Sequence, residues 1–195
     1  MTIDAKLVSD LRAQTGAGMM DAKKALEETA GDIEKAISLL RERGVAKAAK
    51  KADRETHEGR VHSYTHANGK LGAMVEVLCE TDFVARNEAF IAMCNDLAMH
   101  VSAADPLYLS RQDVPLETVE KERAIYTAEM EGAGKPTDVI AKIVEGKLSK
   151  WYSEVVLLEQ PFIKDEDQTI EEFLKSKIVS LGENMQIRRF ARFSI

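Results

Sequence analysis

The sequence predicts an α+β protein: a three-helix bundle at the N-terminus, a basic linker, and a core in which helices cover a three-stranded antiparallel sheet. Three observations carry that expectation. Apolar residues recur at helical spacing through roughly the first forty residues, and again over much of the later chain. An alternating run begins after Gly59 and turns at Asn68-Gly69, the strongest short signal for a hairpin. A second alternating run, from Met185 onward, supplies a third strand.

Leu7, Val8 and Leu11, then Ala22, Ala25 and Leu26, then Ile33, Ile37 and Leu40 mark three short helices. Thr15-Gly16-Ala17-Gly18 separates the first two, and Ala30-Gly31-Asp32 the second from the third, with Asp32 as N-cap. Gly44 is expected to end the third helix. Residues 1–44 then form a bundle too small to be more than marginally stable alone. Arg41, Arg43, Lys47, Lys50, Lys51 and Arg54 face only Glu42 and Asp53 over residues 41–54. The linker, residues 45–56, reads first as a solvated helical connector. The second reading is an electrostatic patch for RNA or an acidic partner, though no aromatics are interleaved.

Residues 57–195 make the core. Val61, Ser63 and Thr65 alternate with His62, Tyr64 and His66, and the return strand sets Leu71, Ala73, Val75, Val77 and Cys79 on one face. Thr81-Asp82-Phe83-Val84 follows as a loop, and Asn87 caps a helix that buries Phe90, Ile91, Cys94, Leu97, Ala98 and Val101. A helix is expected from Pro115 towards Gly132, and one or two more from Thr137 to about Leu158. Thr169-Ile170-Glu171-Glu172 is a capping box for a helix ending at Gly182. In the tail, Met185, Ile187, Arg189, Ala191 and Phe193 oppose Gln186, Arg188, Phe190 and Arg192.

Composition narrows the function. The 195 residues carry a formal net charge of −6, which argues against whole-surface attraction to nucleic acid. No apolar run approaches the roughly 18 residues of a membrane span, and the N-terminus has no secretory pattern, so a cytoplasmic protein is expected. Cys79 and Cys94 lie in apolar runs, as buried thiols of a reducing compartment do.

The catalytic motifs fail on inspection. Gly132-Ala133-Gly134-Lys135-Pro136-Thr137 has Glu129 and Pro136 where a phosphate loop needs Gly and Ser or Thr. It reads as a turn between helices. Gly16-Ala17-Gly18 has Asp21 where a dinucleotide fingerprint needs its third glycine. His62 and His66 sit about 13 Å apart along a strand, too far to share one ion easily. Cys79 and His100 read as two core residues rather than nucleophile and base. No cofactor and no catalytic group are expected.

Two places resist a purely structural reading. Met19-Met20 follow a glycine turn, where a second apolar residue would face outward and suit adaptable protein contacts. Thr81-Asp82-Phe83-Val84 sets an aromatic beside an acid at a loop tip, as a wedge would be set. The stretch Thr15-Gly16-Ala17-Gly18-Met19-Met20-Asp21-Ala22-Lys23-Lys24-Ala25-Leu26 closely resembles the N-terminal signature of the bacterial elongation factor Ts family. Thr81-Asp82-Phe83-Val84-Ala85-Arg86-Asn87 resembles its second signature, and Gly182-Glu183-Asn184-Met185-Gln186-Ile187-Arg188-Arg189 a third.

The resemblance implies a guanine-nucleotide exchange factor for elongation factor Tu, with a ubiquitin-associated-like N-terminal domain over residues 1–44. By matched position, Met19, Met20 and Lys23 would contact the partner's nucleotide-binding domain. Leu181 and Gly182 would touch the region near the nucleotide phosphates. Asp82 and Phe83, within Thr81–Val84, would insert between partner helices and dislodge its Mg. The length leaves room for one core half, as in the family's short form, which implies a homodimer and a 2:2 complex with the partner; the C-terminal strand, with Ile187 and Phe193, is the candidate dimer surface. Direct nucleic-acid or membrane binding is not implied. A tethering adaptor and an enzyme with a hidden site are the competing classes, and neither accounts for three ordered motifs.

Overall fold

The computed structural model describes residues 3–130 and 136–195, so Gly132 to Lys135 of the glycine-rich turn lie outside the described residues. The chain divides into two compact units. The first runs to His62 and adds Val75–Asp96 and Glu172–Arg188; the second comprises Ser63–Met74, Leu97–Glu171 and Arg189–Ile195.

The N-terminal bundle holds α1 (Ala5–Thr15), α2 (Met19–Glu28) and α3 (Ile33–Ala49). Asp4 caps α1 by accepting from the Lys6 N–H, and α1 stops at Gly16, whose φ of +66° suits a residue without Cβ. Asp32 caps α3 as expected, accepting from the Lys35 N–H at 3.1 Å. Val8, Leu11, Ala22, Ala25, Leu26 and Ala36 form its core. Three alanines among six residues let the short helices approach closely.

Gly44 does not end the third helix. α3 continues through it to Ala49. Gly44 stays in the ordinary right-handed range, and a Cβ there would meet only the Val179 side chain, at 3.9 Å. Val45-Ala46-Lys47-Ala48-Ala49 is mostly good helix-forming sequence, and Ala48 is buried. An interior glycine weakens a helix by about 1 kcal/mol but does not stop it unless the chain turns left-handed.

The sheet has the order β1-β2-β5, with β1 at Glu58–Thr65, β2 at Leu71–Cys79 and β5 at Met185–Ser194. It is the expected three-stranded antiparallel sheet. Asn68-Gly69 lies in the β1–β2 connection, with Gly69 at φ +68° and the Lys70 N–H donating to Asn68 Oδ1. Central β2 buries Ala73, Val75, Val77 and Cys79, the predicted face. Edge strand β1 leaves Val61 exposed.

The third strand keeps the predicted alternation only in part. Met185 and Ile187 are buried, but Phe193 is 72% exposed and Phe190 and Arg192 are half-buried instead. The covered side changes after Ile187, where Arg192 Nε donates to the Ser102 carbonyl at 2.9 Å and its guanidinium pairs with Asp105 at 3.1 Å. A buried Ile187 cannot meet a second copy, which corrects its place on the expected dimer surface.

The remaining elements are α4 (Asp82–Ala85), α5 (Glu88–Ala104), α6 (Leu116–Ala128), α7 (Thr137–Val155), β3 (Pro161–Phe162), β4 (Asp165–Thr169) and α8 (Ile170–Leu181). Asn87 caps α5 by accepting from the Ala89 N–H at 2.8 Å. The β3–β4 pair was not legible, because Asp165-Glu166-Asp167-Gln168 has the composition of a turn. No described helix is long and apolar enough to cross a membrane.

Candidate functional site

Met19, Met20 and Lys23 share one end of the bundle. Gly18 holds extended backbone before the first turn of α2 and provides no side-chain cap. Ala22, Ala25 and Leu26 take the buried stripe, which leaves Met19 51% and Met20 63% exposed. Both methionines therefore face solvent rather than the core. Lys23 lies beside them, its Nζ 3.8 Å from Glu27 one turn on, a contact worth a few tenths of a kcal/mol.

The Thr81–Val84 segment is a single helical turn where the sequence predicted a loop. Thr81 caps it, its Oγ1 accepting from the Val84 N–H at 3.3 Å, and Val84 and Ala85 are buried beneath. Asp82 stands at the turn's N-terminal end, where its charge favours the free N–H groups, and pairs with Arg86 at 3.1 Å. Phe83 is 79% exposed, so it is not tucked under its own helix. Of the four residues singled out, Thr81, Asp82 and Phe83 face outward and Val84 anchors the turn.

Gly182 ends α8 at φ +84°, with Leu181 half-buried beside it. The next two residues were missed as site residues. The Glu183 carboxylate accepts from the Glu80 N–H at 3.1 Å, the Thr81 N–H at 3.0 Å and the Thr81 hydroxyl at 2.7 Å. Asn184, buried, donates its backbone N–H to Glu80 Oε1 at 2.5 Å and its side-chain amide to the carbonyls of Ala52 and Arg54. Lys51 Nζ donates to the Gly182 carbonyl. The second and third motifs are thus bonded to each other and to the end of the linker, all within the first unit. Periodicity held no signal for this, because a carboxylate next to a glycine turn looks like any solvated charge.

The first motif borders a cleft of about 450 Å³ whose other lining comes from the linker and the last turns of α8, just before the third motif. Gly16, Ala17 and Gly18 line it on one side, and Val179 and Ser180 on the other. Arg12, Lys47, Lys50, Lys51 and Arg54 line it too, against Asp21 alone, so it is a basic spot on an acidic chain.

Burial, with the Glu183 charge adding to it, pushes the Cys79 thiol up to about 11. Burial pushes Cys94 up to about 12. Protonated thiols are poor nucleophiles and poor ligands. His100 is held below its ordinary value by burial, against the opposing hydrogen bond to Gln160. Among the described residues no group of three or more His, Cys, Asp or Glu could hold a metal ion.

The whole core and bundle, residues 5–195, match the model of the family described as Elongation factor TS. The chain belongs to the elongation factor Ts family. It is 54% identical over 193 residues to elongation factor Ts of Geobacter sulfurreducens, covering 99% of this chain and 89% of that protein. The elongation factor Ts of Thermosipho melanesiensis is 54% identical, with 99% and 98% covered. That of Maridesulfovibrio salexigens is 56% identical, with 100% and 95% covered. The family in general acts in nucleotide exchange on elongation factor Tu. Three segments resembling elongation factor Ts signatures, far apart in the chain, therefore lie on one compact unit of a family member.

Proposed function

We propose that this chain is a guanine-nucleotide exchange factor in translation elongation, which binds GDP-loaded elongation factor Tu, displaces its Mg and promotes GDP release so that GTP can bind. The observation that carries the reading is Phe83: a large apolar side chain standing 79% exposed on a turn whose Val84 and Ala85 are buried. A solvent-facing phenyl ring beside an acid on a short turn suits insertion into a partner.

Magnesium demands near-ideal octahedral geometry and is held largely by phosphate and water. A ring pushed between partner helices displaces its ligands slightly and loosens metal and nucleotide together. Asp82 beside it adds a charge. Met19, Met20 and Lys23 dock the bundle on the partner's nucleotide-binding domain, while Leu181 and Gly182 approach the region of the phosphates. Linkage makes the effect reciprocal: whatever factor the exchange protein costs the nucleotide, the nucleotide costs it. The chain must therefore bind nucleotide-free partner more tightly than loaded partner. None of these steps uses a cofactor or a catalytic acid or base in this chain.

The test is release of a fluorescent GDP analogue from elongation factor Tu. Wild type accelerates release, and Phe83→Ala loses about tenfold or more of that acceleration. Binding without acceleration would sink the exchange reading and leave a tethering adaptor.

We infer that two copies pair to form a 2:2 complex with the partner, in the cytoplasm, with Phe193 rather than Ile187 at the contact.

A further inference from the structure

We propose that Glu183 is the positioning residue of the Phe83 turn, holding it at a fixed angle and tying it to the Gly182 turn so that both contacts move as one body. The proposal rests on the exchange reading above and adds a residue to it.

Three donors converge on this one carboxylate. Oε2 accepts from the backbone N–H groups of Glu80 and Thr81, at 3.1 and 3.0 Å, and Oε1 from the Thr81 hydroxyl at 2.7 Å. The Thr81 hydroxyl proton is thereby committed to Glu183. Its lone pairs are left to accept the Val84 N–H, at 3.3 Å, which closes the helical turn that carries Phe83. The path Glu183 to Thr81 to Val84 is continuous, and chains of this kind polarise and stiffen one another. Charge-assisted bonds are roughly twice as strong as neutral ones. Gly182, at φ +84°, reverses the chain just before Glu183, in a conformation other residues rarely adopt.

The turn needs such a mount. Four residues of helix have little stability of their own, and the exposed ring contributes no packing. Only Val84 and Ala85 hold it from below. Glu183 holds it from the side and links it to the glycine whose carbonyl receives Lys51.

The carboxylate is required rather than a polar side chain in general. Both its oxygens accept, whereas a glutamine amide has one acceptor and a donor nitrogen that repels an N–H. Glu183→Gln can keep the two backbone bonds on its oxygen, but its amide then donates to the Thr81 hydroxyl instead of accepting from it, which frees the hydroxyl proton and takes up a lone pair beside the Val84 N–H. Thr81→Ser keeps both the hydroxyl proton and its lone pairs.

The test uses the full chain well below its unfolding temperature and separates binding from the release step. Glu183→Gln should keep its affinity for nucleotide-free elongation factor Tu within about threefold, yet lower the release rate at saturation by about tenfold or more. Amide hydrogen exchange at Glu80, Thr81 and Val84 should quicken while the bundle stays protected. In the double variant with Phe83→Ala, release should be no slower than with Phe83→Ala alone, because both changes disable the same turn. A Glu183→Gln protein releasing GDP at the wild-type saturated rate, beside a slow Phe83→Ala, would overturn the positioning role and leave the exchange reading intact. Losses that multiply in the double variant would also overturn it. If Phe83→Ala itself matches an accelerating wild type, the wedge and the role of Glu183 in exchange both fall, whereas a wild type that binds without accelerating release removes the exchange reading itself. Protection of the three amides then decides whether Glu183 holds the turn at all: faster exchange in Glu183→Gln keeps that part, and unchanged exchange removes it.

Discussion

Phe83 and Val84 are neighbours in one helical turn with opposite fates, one 79% exposed and the other buried. Replacing Phe83 by Ala should leave unfolding in urea within about 0.5 kcal/mol of wild type, since almost no buried contact is lost. A larger loss would mean that the ring packs on its own protein, and would weaken its assignment as a wedge. His100 offers a pH-dependent counterpart. It is buried, its Nε2 lies 3.0 Å from Gln160 Oε1, and its Nδ1 accepts from the Ile163 N–H at 3.3 Å. Neutral imidazole satisfies both contacts, and protonation would set an N–H against the Ile163 N–H. Burial lowers its folded pKa, so the unfolded chain takes up the proton first. Stability from this group is present above the unfolded value of about 6.5 and is lost as pH falls through the folded value. Urea midpoints measured from pH 7.5 down to about 5 should therefore fall, and less steeply in His100→Gln. At this scale the sequence marked Met19, Met20 and Phe83 as anomalies and placed Glu183 and Asn184 in the third signature without a role, because their partners lie a hundred or more positions away.

Among the elements, α3 and β1 show what a glycine means in two settings. Gly44 sits in helical backbone with ordinary space around it, so Gly44→Ala should stabilise by about 0.5–1 kcal/mol, read as a higher urea midpoint at unchanged slope. Gly59, in β1, has φ +153°, and a Cβ there would come within 2.2 Å of the Val77 carbonyl oxygen. Gly59→Ala should cost about 2 kcal/mol or more, because the clash is with backbone of the central strand. Wild-type stability in that variant would show that β1 can shift without penalty. Glycine ends a helix only where the chain must leave it, and the departure of α3 at Ala49 is set by the turn that carries Lys51 towards Gly182. Helix starts were legible because Asp32 and Asn87 bond to N–H groups two or three residues away. The β3–β4 pair was not, since its register depends on Pro161 meeting Thr169 across the chain.

At the scale of the whole molecule, Phe193 is a large apolar residue that folding leaves 72% exposed on edge strand β5, with Ile195 fully exposed just beyond it. If two copies pair there, Phe193→Ser should shift sedimentation equilibrium towards the monomer mass while the unfolding midpoint stays within about 0.5 kcal/mol of wild type. A wild-type chain that sediments as a monomer at tens of micromolar would remove the pairing. Charge behaves likewise across scales. The chain as a whole is acidic, yet Arg12 joins Lys47, Lys50, Lys51 and Arg54 around one cleft, a concentration that the sum of −6 hides. The sequence by itself determined the α+β class, the hairpin, most helix starts and the three motifs, because spacing, caps and turn residues act over a few positions. Only the tertiary structure decided which methionines and which phenylalanine stay exposed, which face of β5 is covered, and that Glu80, Thr81, Glu183 and Asn184 close one hydrogen-bonded junction. Those outcomes depend on which distant segment occupies a given volume, and a single sequence records no such distance.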